Sequence, residues 1–273
     1  MVVSAGARLD GPSGPGSLEL VRRIGQGRFG EVYLATDSTT GGQFAVKFPQ
    51  SSLLDSDEAI AFKNDLDKAG RVKHPNVVEV VWASPNSLPP YLVMEFVDGD
   101  TLQSELGRRA ATRDQLQPDQ VRHWFGNLLD GIEAINAVLL HRDIKPDNIL
   151  IDGGNLKVAD FGLAKILDAA TRTQTFKEVG AMAYLAPEGW RGETSTIHRD
   201  MYAVGLVLFE IATLEYGLPI PSDRNGDQWK ETHLFKRPKR LTDSRSDFQR
   251  PSSSCCFGSS PSAHRIGSRR GQR

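Results

Sequence analysis

Residues 141–162 read HRDIKPDNILIDGGNLKVADFG and indicate the architecture around which the rest of the chain is arranged. Two short apolar runs, residues 149–151 and 156–159, flank the Gly-rich connection Asp-Gly-Gly-Asn. Apolar runs separated by such a connection are typical of an antiparallel hairpin, so we predict one here. Because a hairpin returns the chain to its starting point, Asn148 and Asp160 are expected to lie side by side at its open end.

The open end of this hairpin is expected to collect polar side chains with a common chemistry. Asp143 and Lys145 come just before Asn148, so two carboxylates, an amide oxygen and an ammonium group should converge. Carboxylate and amide oxygens are ligands that suit Mg²⁺, and lysine binds phosphate. The pattern therefore predicts a site for a divalent cation beside a phosphate.

The composition is that of an ordinary globular protein. Of 273 residues, 39% are hydrophobic and 25% are charged, and the formal net charge of −1 gives no reason to expect a nucleic-acid partner. Cys255 and Cys256 are adjacent, so we predict no disulfide framework and expect a reducing, cytoplasmic location. The longest apolar run, residues 202–214, contains Glu210 and is too short to cross a bilayer, so no membrane segment is predicted.

The chain divides into segments of different character. Residues 1–17 are rich in Gly, Pro and Ser and predict a flexible leader. Residues 18–97 are mostly strand-like and residues 98–235 mostly helical, which predicts an α+β fold of two lobes separated by a cleft. The first lobe would be an antiparallel sheet with one helix. Residues 236–273 are basic and rich in Ser and Arg, so we predict a disordered tail, with a basic docking arm as the alternative.

Residues 24–32, IGQGRFGEV, contain a Gly-rich motif with the spacing G-x-G-x-x-G. The motif leads into the alternating segment EVYLA and not into a helix, so it predicts the tip of a hairpin and not a dinucleotide-binding turn. Glycines would let backbone amides approach phosphate oxygens closely. A plain hairpin turn that binds no ligand is the alternative.

Lys47 ends the apolar segment FAVK, where an unpaired ammonium group would be costly to bury. Its partner must be a phosphate or a carboxylate. A helical window at residues 57–72 places Asp65 on the same face as the apolar Phe62 and Leu66. We therefore predict an ion pair between Lys47 and Asp65.

Six motifs in a fixed order resemble those of the eukaryotic-type (Hanks-type) Ser/Thr protein kinase family, over residues 18–214. In chain order they are IGQGRFGEV, AVK, HRDIKPDN, DFG, APE and DMYAVG. One such motif is a weak signal, whereas six in the family's order are highly specific. The resemblance implies the bilobal kinase fold and phosphoryl transfer from ATP, with Mg²⁺, to Ser or Thr of a protein substrate.

The resemblance also implies which residues bind ATP. Residues 95–97 would form the hinge that reads adenine through backbone groups, with Met94 as the gatekeeper. The residues implied in ATP binding are Ile24, Gly25, Gly27, Gly30, Val32, Ala45, Lys47, Asp65, Glu95 and Val97.

The catalytic roles implied by the resemblance fall on the opening stretch. Asp143 would orient the acceptor hydroxyl and take its proton, and Lys145 would steady the γ-phosphate. Asn148 and Asp160 would bind Mg²⁺. Lys145 follows Asp143 by two residues, which resembles the Ser/Thr-specific pattern and not that of tyrosine kinases.

Regulation is implied by Arg142, because an arginine beside the catalytic Asp often binds a phosphorylated residue of the activation segment in this family. That segment would be residues 163–186, where Thr171, Thr173 and Thr175 are the candidate sites of autophosphorylation. A phosphate there could order the loop against Arg142. The alternative is that the threonines belong to a solvated loop without a regulatory role.

The sequence departs from the family's pattern at several positions. Asp65 stands where the family has Glu, Ala181 replaces a Thr, and Tyr202 replaces a Trp. Beyond residue 214 only residues 228–234 predict a further helix, so we expect a truncated, incomplete second lobe. These departures favour, as the alternative, a catalytically weak pseudokinase or ATP-binding scaffold. A small-molecule phosphotransferase of the same fold is a third interpretation, against which the position of Lys145 and the APE segment count. The sequence predicts no oligomeric state.

Overall fold

The structure is a computed structural model that describes residues 4–27, 30–49, 68–161, 182–194 and 196–245. Within these ranges a sheet-rich lobe is followed by a mainly helical lobe, as the sequence predicts. In the same part of the chain, no helix has the length and apolar character needed to cross a membrane.

The first lobe is built on a six-stranded antiparallel sheet. Its strands are β1 (Arg8–Gly11), β2 (Gly14–Gly27), β3 (Gly30–Asp37), β4 (Gln43–Phe48), β5 (Val80–Ser84) and β6 (Tyr91–Glu95). They lie in the order β1-β2-β3-β4-β6-β5. Because side chains alternate along a strand, Ala45 packs into the main core shared with the second lobe, whereas Val46 packs into a separate cluster on the outer face of the sheet.

The predicted flexible leader, residues 1–17, is wrong for the part that the structure describes. Strand β1 pairs with β2, with Leu9 opposite Leu18, and the Tyr91 hydroxyl donates to the backbone oxygen of Asp10 at 2.8 Å. Leu9 packs against the outer cluster. Of the Gly and Pro residues that suggested flexibility, Pro12 lies in the turn between the two strands, whereas residues 14–16 already belong to β2. Leu9 and Leu18 supply the apolar contacts.

Removing residues 1–13 should lower the free energy of unfolding by about 2–4 kcal/mol, because it uncovers apolar side chains such as Leu18 and Leu20, which are now buried. Denaturant unfolding measures the change. Removal of residues 1–3 alone leaves β1 in place and serves as the control, with no expected change. A loss below about 0.5 kcal/mol for the longer deletion would show that the hairpin does not stabilise the lobe.

In the part of the chain that the structure describes, the second lobe is built mainly from helices. They are α1 (Leu102–Thr112), α2 (Pro118–Asn136), α3 (Pro187–Trp190), α4 (Ile197–Thr213), α5 (Gly226–Phe235) and α6 (Leu241–Ser244). Helix α2 begins at Pro118, which suits the first turn because its missing N–H would have no helical partner. Val121, Trp124 and Leu128 recur at helical spacing and are buried, as predicted. Helix α5 confirms the short helix predicted at residues 228–234.

The predicted hairpin is confirmed. Strands β7 (Ile149–Asp152) and β8 (Asn155–Val158) pair in antiparallel register, and Gly153 and Gly154 form the turn with φ of 56° and 89°. The Trp124 indole of α2 donates to the Gly154 backbone oxygen at 2.9 Å and so fixes the turn. At the other end, the Ala159 N–H donates to the Asn148 backbone oxygen at 2.8 Å. Asp160, the next residue, therefore lies close to Asn148.

The prediction of a disordered tail over residues 236–273 places the start of the tail too early in the chain. Residues 236–245 include α6 and end at Arg245, whose side chain is 5% exposed. Its guanidinium donates to the backbone oxygens of Ala212, near the end of α4, at 2.8 Å and of Leu116 at 3.1 Å. Composition missed this packing because it depends on hydrogen bonds to carbonyl groups and not on apolar burial. Residues 246–273 lie outside the described residues.

Candidate active site

Three polar side chains meet just before the hairpin. The 3₁₀ turn Pro146–Asn148 leads into β7, and the Asn148 Nδ2 donates to the backbone oxygen and to Oδ2 of Asp143 at 2.7 and 2.8 Å. The Lys145 Nζ lies 3.0 Å from the same Oδ2. The side chains of Asp143 and Lys145 are only 11% and 10% exposed. The structure thus brings together three of the four residues that the sequence predicted to converge, around a carboxylate whose orientation is fixed.

Lys47 and Asp160 form an ion pair between the two lobes. The Lys47 Nζ lies 2.8 Å from the Asp160 Oδ1, and Lys47 is 3% exposed. Burial by itself would raise the pKa of Asp160, but the charge and hydrogen bond of Lys47 outweigh burial and hold that pKa below its usual value. The carboxylate is therefore ionised. Asp65, the partner predicted for Lys47, lies outside the described residues.

Asp200 supports the backbone of this site, a role that the sequence reasoning missed. Helix α4 begins at Ile197, so Asp200 lies inside its first turn. Its carboxylate, 2% exposed, accepts the backbone N–H groups of His141 and Arg142, each at 2.8 Å. The sequence did contain a signal for this role, namely a carboxylate at the start of a strongly apolar helix. A charge that is buried there requires hydrogen-bond donors.

His141 is the second supporting residue that was not assigned to the site. Its ring is fully buried, and burial lowers its pKa, so the imidazole is neutral. The Nδ1 accepts the Asp143 N–H at 3.3 Å, and the Nε2 therefore carries the proton and donates to the Ala159 backbone oxygen at 3.1 Å. The ring thus connects the segment of Asp143 with the residue that precedes Asp160.

The Gly-rich motif forms the tip of the hairpin between β2 and β3, as predicted. Gly27 lies opposite Gly30, whose φ is 122°. A Cβ atom on Gly30 would lie 1.8 Å from the Phe48 backbone oxygen, so a larger residue does not fit there. Residues 28–29 of the motif lie outside the described residues.

The other residues predicted to bind ATP lie on neighbouring strands. Ala45 pairs with Met94, and Val32 pairs with Lys47, which places these side chains beside one another in the sheet. Ala45 and Met94 are buried. Ile24 and Gly25 lie on β2, Glu95 ends β6 and Val97 follows it.

The side-chain oxygen atoms of Asn148 and Asp160 are of the kind that Mg²⁺ prefers. Among the residues that the structure describes, no three His, Cys, Asp or Glu side chains group into an all-protein metal site. Asp160 is ionised, and Asn148 binds Asp143 through Nδ2, so its Oδ1 is the atom suited to a metal. Mg²⁺ commonly takes one or two protein ligands together with substrate phosphates and water. Asn148 and Asp160 match that donor set.

The regulatory residues are described only in part. The Arg142 backbone is held by Asp200 and has φ of 70°. Thr171, Thr173 and Thr175 lie outside the described residues, so their phosphorylation stays a prediction. Ala181 falls in the same gap.

A partly buried carboxylate, that of Glu210, contacts the segment that follows this gap. The Tyr184 hydroxyl donates to Oε1 of Glu210 at 2.8 Å, and the Tyr216 hydroxyl donates to the Ala183 backbone oxygen. Burial raises the pKa of Glu210 to about 7, and the negative charge of Asp147 adds to this effect, while the bond from Tyr184 opposes it. Glu210 therefore titrates near neutral pH in the folded protein.

This pKa predicts a measurable dependence of stability on pH. A raised carboxyl pKa favours folding at low pH, and the advantage is lost as the pH rises from the unfolded value of 4.5 to about 7. The stability gained by Glu210→Gln over the native chain should therefore be larger at pH 8 than at pH 5.5, by about 2 kcal/mol. Denaturant unfolding at both pH values tests it, with the exposed Glu133→Gln as control. Equal gains at the two pH values would contradict a raised pKa.

Comparison with known proteins identifies the class to which this fold and site belong. Crystal structures of the Mycobacterium tuberculosis PknI kinase domain superpose on it, one with a TM-score of 0.67 at 22% identity, covering 90% of this chain and 86% of that one. At this level of identity the likeness shows the fold, which is the two-lobed protein kinase fold.

Sequence comparison then gives the family. The protein kinase domain family matches residues 18–264. The serine/threonine-protein kinase PrkC of Bacillus subtilis is 36% identical over 201 residues, and PknB of Mycolicibacterium smegmatis is 36% identical over 209 residues. Each alignment covers 72% of this chain but only 30% and 32% of those relatives, so the chain spans about a third of their length. The chain belongs to the protein kinase family.

Proposed function

We propose that this chain transfers the γ-phosphate of ATP to Ser or Thr hydroxyls of protein substrates, with Mg²⁺ as cofactor. The observation that carries the proposal is the carboxylate of Asp143, held by Asn148 and Lys145 next to the ion pair of Lys47 and Asp160. Phosphoryl transfer requires positioning and neutralisation of charge more than covalent chemistry by the protein. These five residues supply both the positioning and the neutralisation of charge.

The reaction follows from the position of each group. Asp143 accepts the proton of the acceptor hydroxyl while that oxygen forms its bond to the γ-phosphorus and the bond to the β–γ bridging oxygen breaks, so that ADP leaves. Lys145, 3.0 Å from Asp143, lies where it can offset the charge of the transferred group. Lys47 would bind the α- and β-phosphates. Bound Mg²⁺, held by Asn148 and Asp160, would neutralise the charge of the phosphates.

Regulation and location form a second part of the proposal. A phosphate on Thr171, Thr173 or Thr175 would bind Arg142 and order the activation segment, since a phosphate pairs strongly with a guanidinium group.

The adjacent cysteines, which suit a reducing compartment, support a cytoplasmic location. ATP, Mg²⁺ and a protein substrate are the partners.

Incubation of the purified chain with γ-labelled ATP, Mg²⁺ and a mixture of unstructured proteins tests the proposal. We expect label on Ser and Thr, in the chain itself and in the added proteins, and little label with Asp143→Asn. Equal label from both chains would reject catalysis and favour an ATP-binding scaffold. Label confined to small molecules would instead favour a small-molecule phosphotransferase.

A further inference from the structure

Three parts of the molecule meet at the carboxylate of Glu95, the last residue of β6. The Lys157 Nζ of β8, in the second lobe, lies 2.8 Å from its Oε1 and 2.7 Å from its Oε2. The Glu79 N–H, just before β5, donates to Oε1 at 2.9 Å, and the Glu95 N–H donates to the Glu79 backbone oxygen at 2.9 Å. One side chain of the hinge is therefore bonded both to the sheet of the first lobe and to the second lobe.

The ion pair of Glu95 and Lys157 differs from the surface ion pairs of this chain. Its side chains are 30% and 16% exposed and both carboxylate oxygens take part. By contrast, Arg8 and Glu19 are 64% and 50% exposed and lie 3.4 Å apart. Exposed pairs contribute little because water and salt screen them, whereas a shielded pair with two short contacts holds its geometry.

Strand β8 gives Lys157 a fixed base. The Val158 N–H donates to the Asn76 backbone oxygen at 2.8 Å, and the Val78 N–H donates to the Val158 backbone oxygen at 2.9 Å. The buried Asn76 amide adds a bond to the Leu156 backbone oxygen at 2.9 Å. Lys157 thus projects from a strand that is bonded on both sides of it to the segment leading into β5.

We propose that Lys157 is a positioning residue that holds the hinge, residues 95–97, in the conformation that receives adenine, and that it acts through Glu95. The inference rests on the proposed binding of ATP. Loss of the ammonium group leaves the Glu95 carboxylate bonded only within the first lobe, so the hinge is no longer tied to β8. Nucleotide affinity falls, while the bonds that orient Asp143 do not involve Lys157 and stay in place.

The test compares Lys157→Met and Lys157→Arg with the native chain. For Lys157→Met we expect the KM for ATP and the Kd for Mg-ADP to rise about fivefold with kcat changed less than about twofold, a pattern typical of lost ground-state binding. Lys157→Arg should restore affinity, because a guanidinium group can also bind both carboxylate oxygens. Lys73→Met, which removes the exposed ion pair with Glu79, is the matched control and should leave both constants unchanged.

A double-mutant cycle with Glu95→Gln separates this role from general stability. If Lys157 acts through Glu95, the double variant should bind Mg-ADP no more weakly than Lys157→Met. Fully additive losses, or an unchanged Kd in Lys157→Met, would overturn the inference. If Lys157→Met does not fold, the test rests on Glu95→Gln, which keeps the size of the side chain. The inference then requires that Glu95→Gln alone raises the Kd for Mg-ADP. Native protein that binds Mg-ADP but transfers no label would reject the proposed function and leave this test intact.

Discussion

Replacing Asp143 with asparagine should lower the rate of phosphoryl transfer by about 10²–10⁴-fold, because the proton acceptor is lost. Nucleotide binding should change little, since Asp143 is proposed to act on the acceptor hydroxyl, while Lys47 is proposed to bind the phosphates. Asparagine keeps the shape of the side chain, so the fold should be preserved. The Nδ2 of Asn148 now bonds to the Asp143 carboxylate at 2.8 Å, and the new amide can still accept that bond through its oxygen.

The measurement is the initial rate of label transfer at saturating ATP, together with calorimetric binding of Mg-ADP. Asp130→Asn, which neutralises an exposed carboxylate on α2, is the matched control and should retain the native rate. A rate for Asp143→Asn within about threefold of the native rate would contradict the role of Asp143 as proton acceptor.

Replacing Asp200 with alanine should lower the free energy of unfolding by about 2–5 kcal/mol and abolish phosphoryl transfer. The carboxylate is 2% exposed and accepts two backbone N–H groups, from His141 and Arg142. Its removal leaves both donors without their acceptor in the interior, and each unsatisfied group costs about 1–3 kcal/mol. Because these two residues precede Asp143, the loss should also displace the catalytic carboxylate.

Asp227→Ala provides a matched control, because Asp227 is also an acidic residue in the first turn of a helix, but an exposed one. It should change stability by less than about 1 kcal/mol, the size of a helix-dipole effect. Urea unfolding of both variants gives the comparison. Similar small losses in the two variants would mean that Asp200 does not support the backbone of the site.

The candidate site could be predicted largely from the sequence because its catalytic part is local. Asp143, Lys145, Asn148 and Asp160 fall within 22 residues, and a hairpin of known turn chemistry decides their meeting. Lys47 is not local to this stretch, and its predicted ion pair with Asp65 stays a prediction. The partner that the structure describes, Asp160, lies in the other lobe, and helical spacing could not reveal it.

Contacts with distant parts of the chain also decided the structure near both ends of the described residues. Residues 8–11 contain Asp10 and Gly11, which are common in loops, and the segment was predicted to be part of a flexible leader. It forms β1 because Leu9 covers apolar surface on the outer face of the sheet. Arg245 looks like part of a polar tail, yet two backbone oxygens in the second lobe bind it. Neither surface is visible in local composition.

Residues close together in the chain specify the hairpin, the Gly-rich turn, the α+β order of the lobes and the helical periodicity of α2, so local patterns were enough to predict them. The bonds of Asp200 to the backbone before Asp143, and the contact of Glu95 with Lys157, depend instead on tertiary packing. These contacts join residues 58 to 62 positions apart. Buried polar groups need partners, and the packing of distant elements selects which partner each one finds.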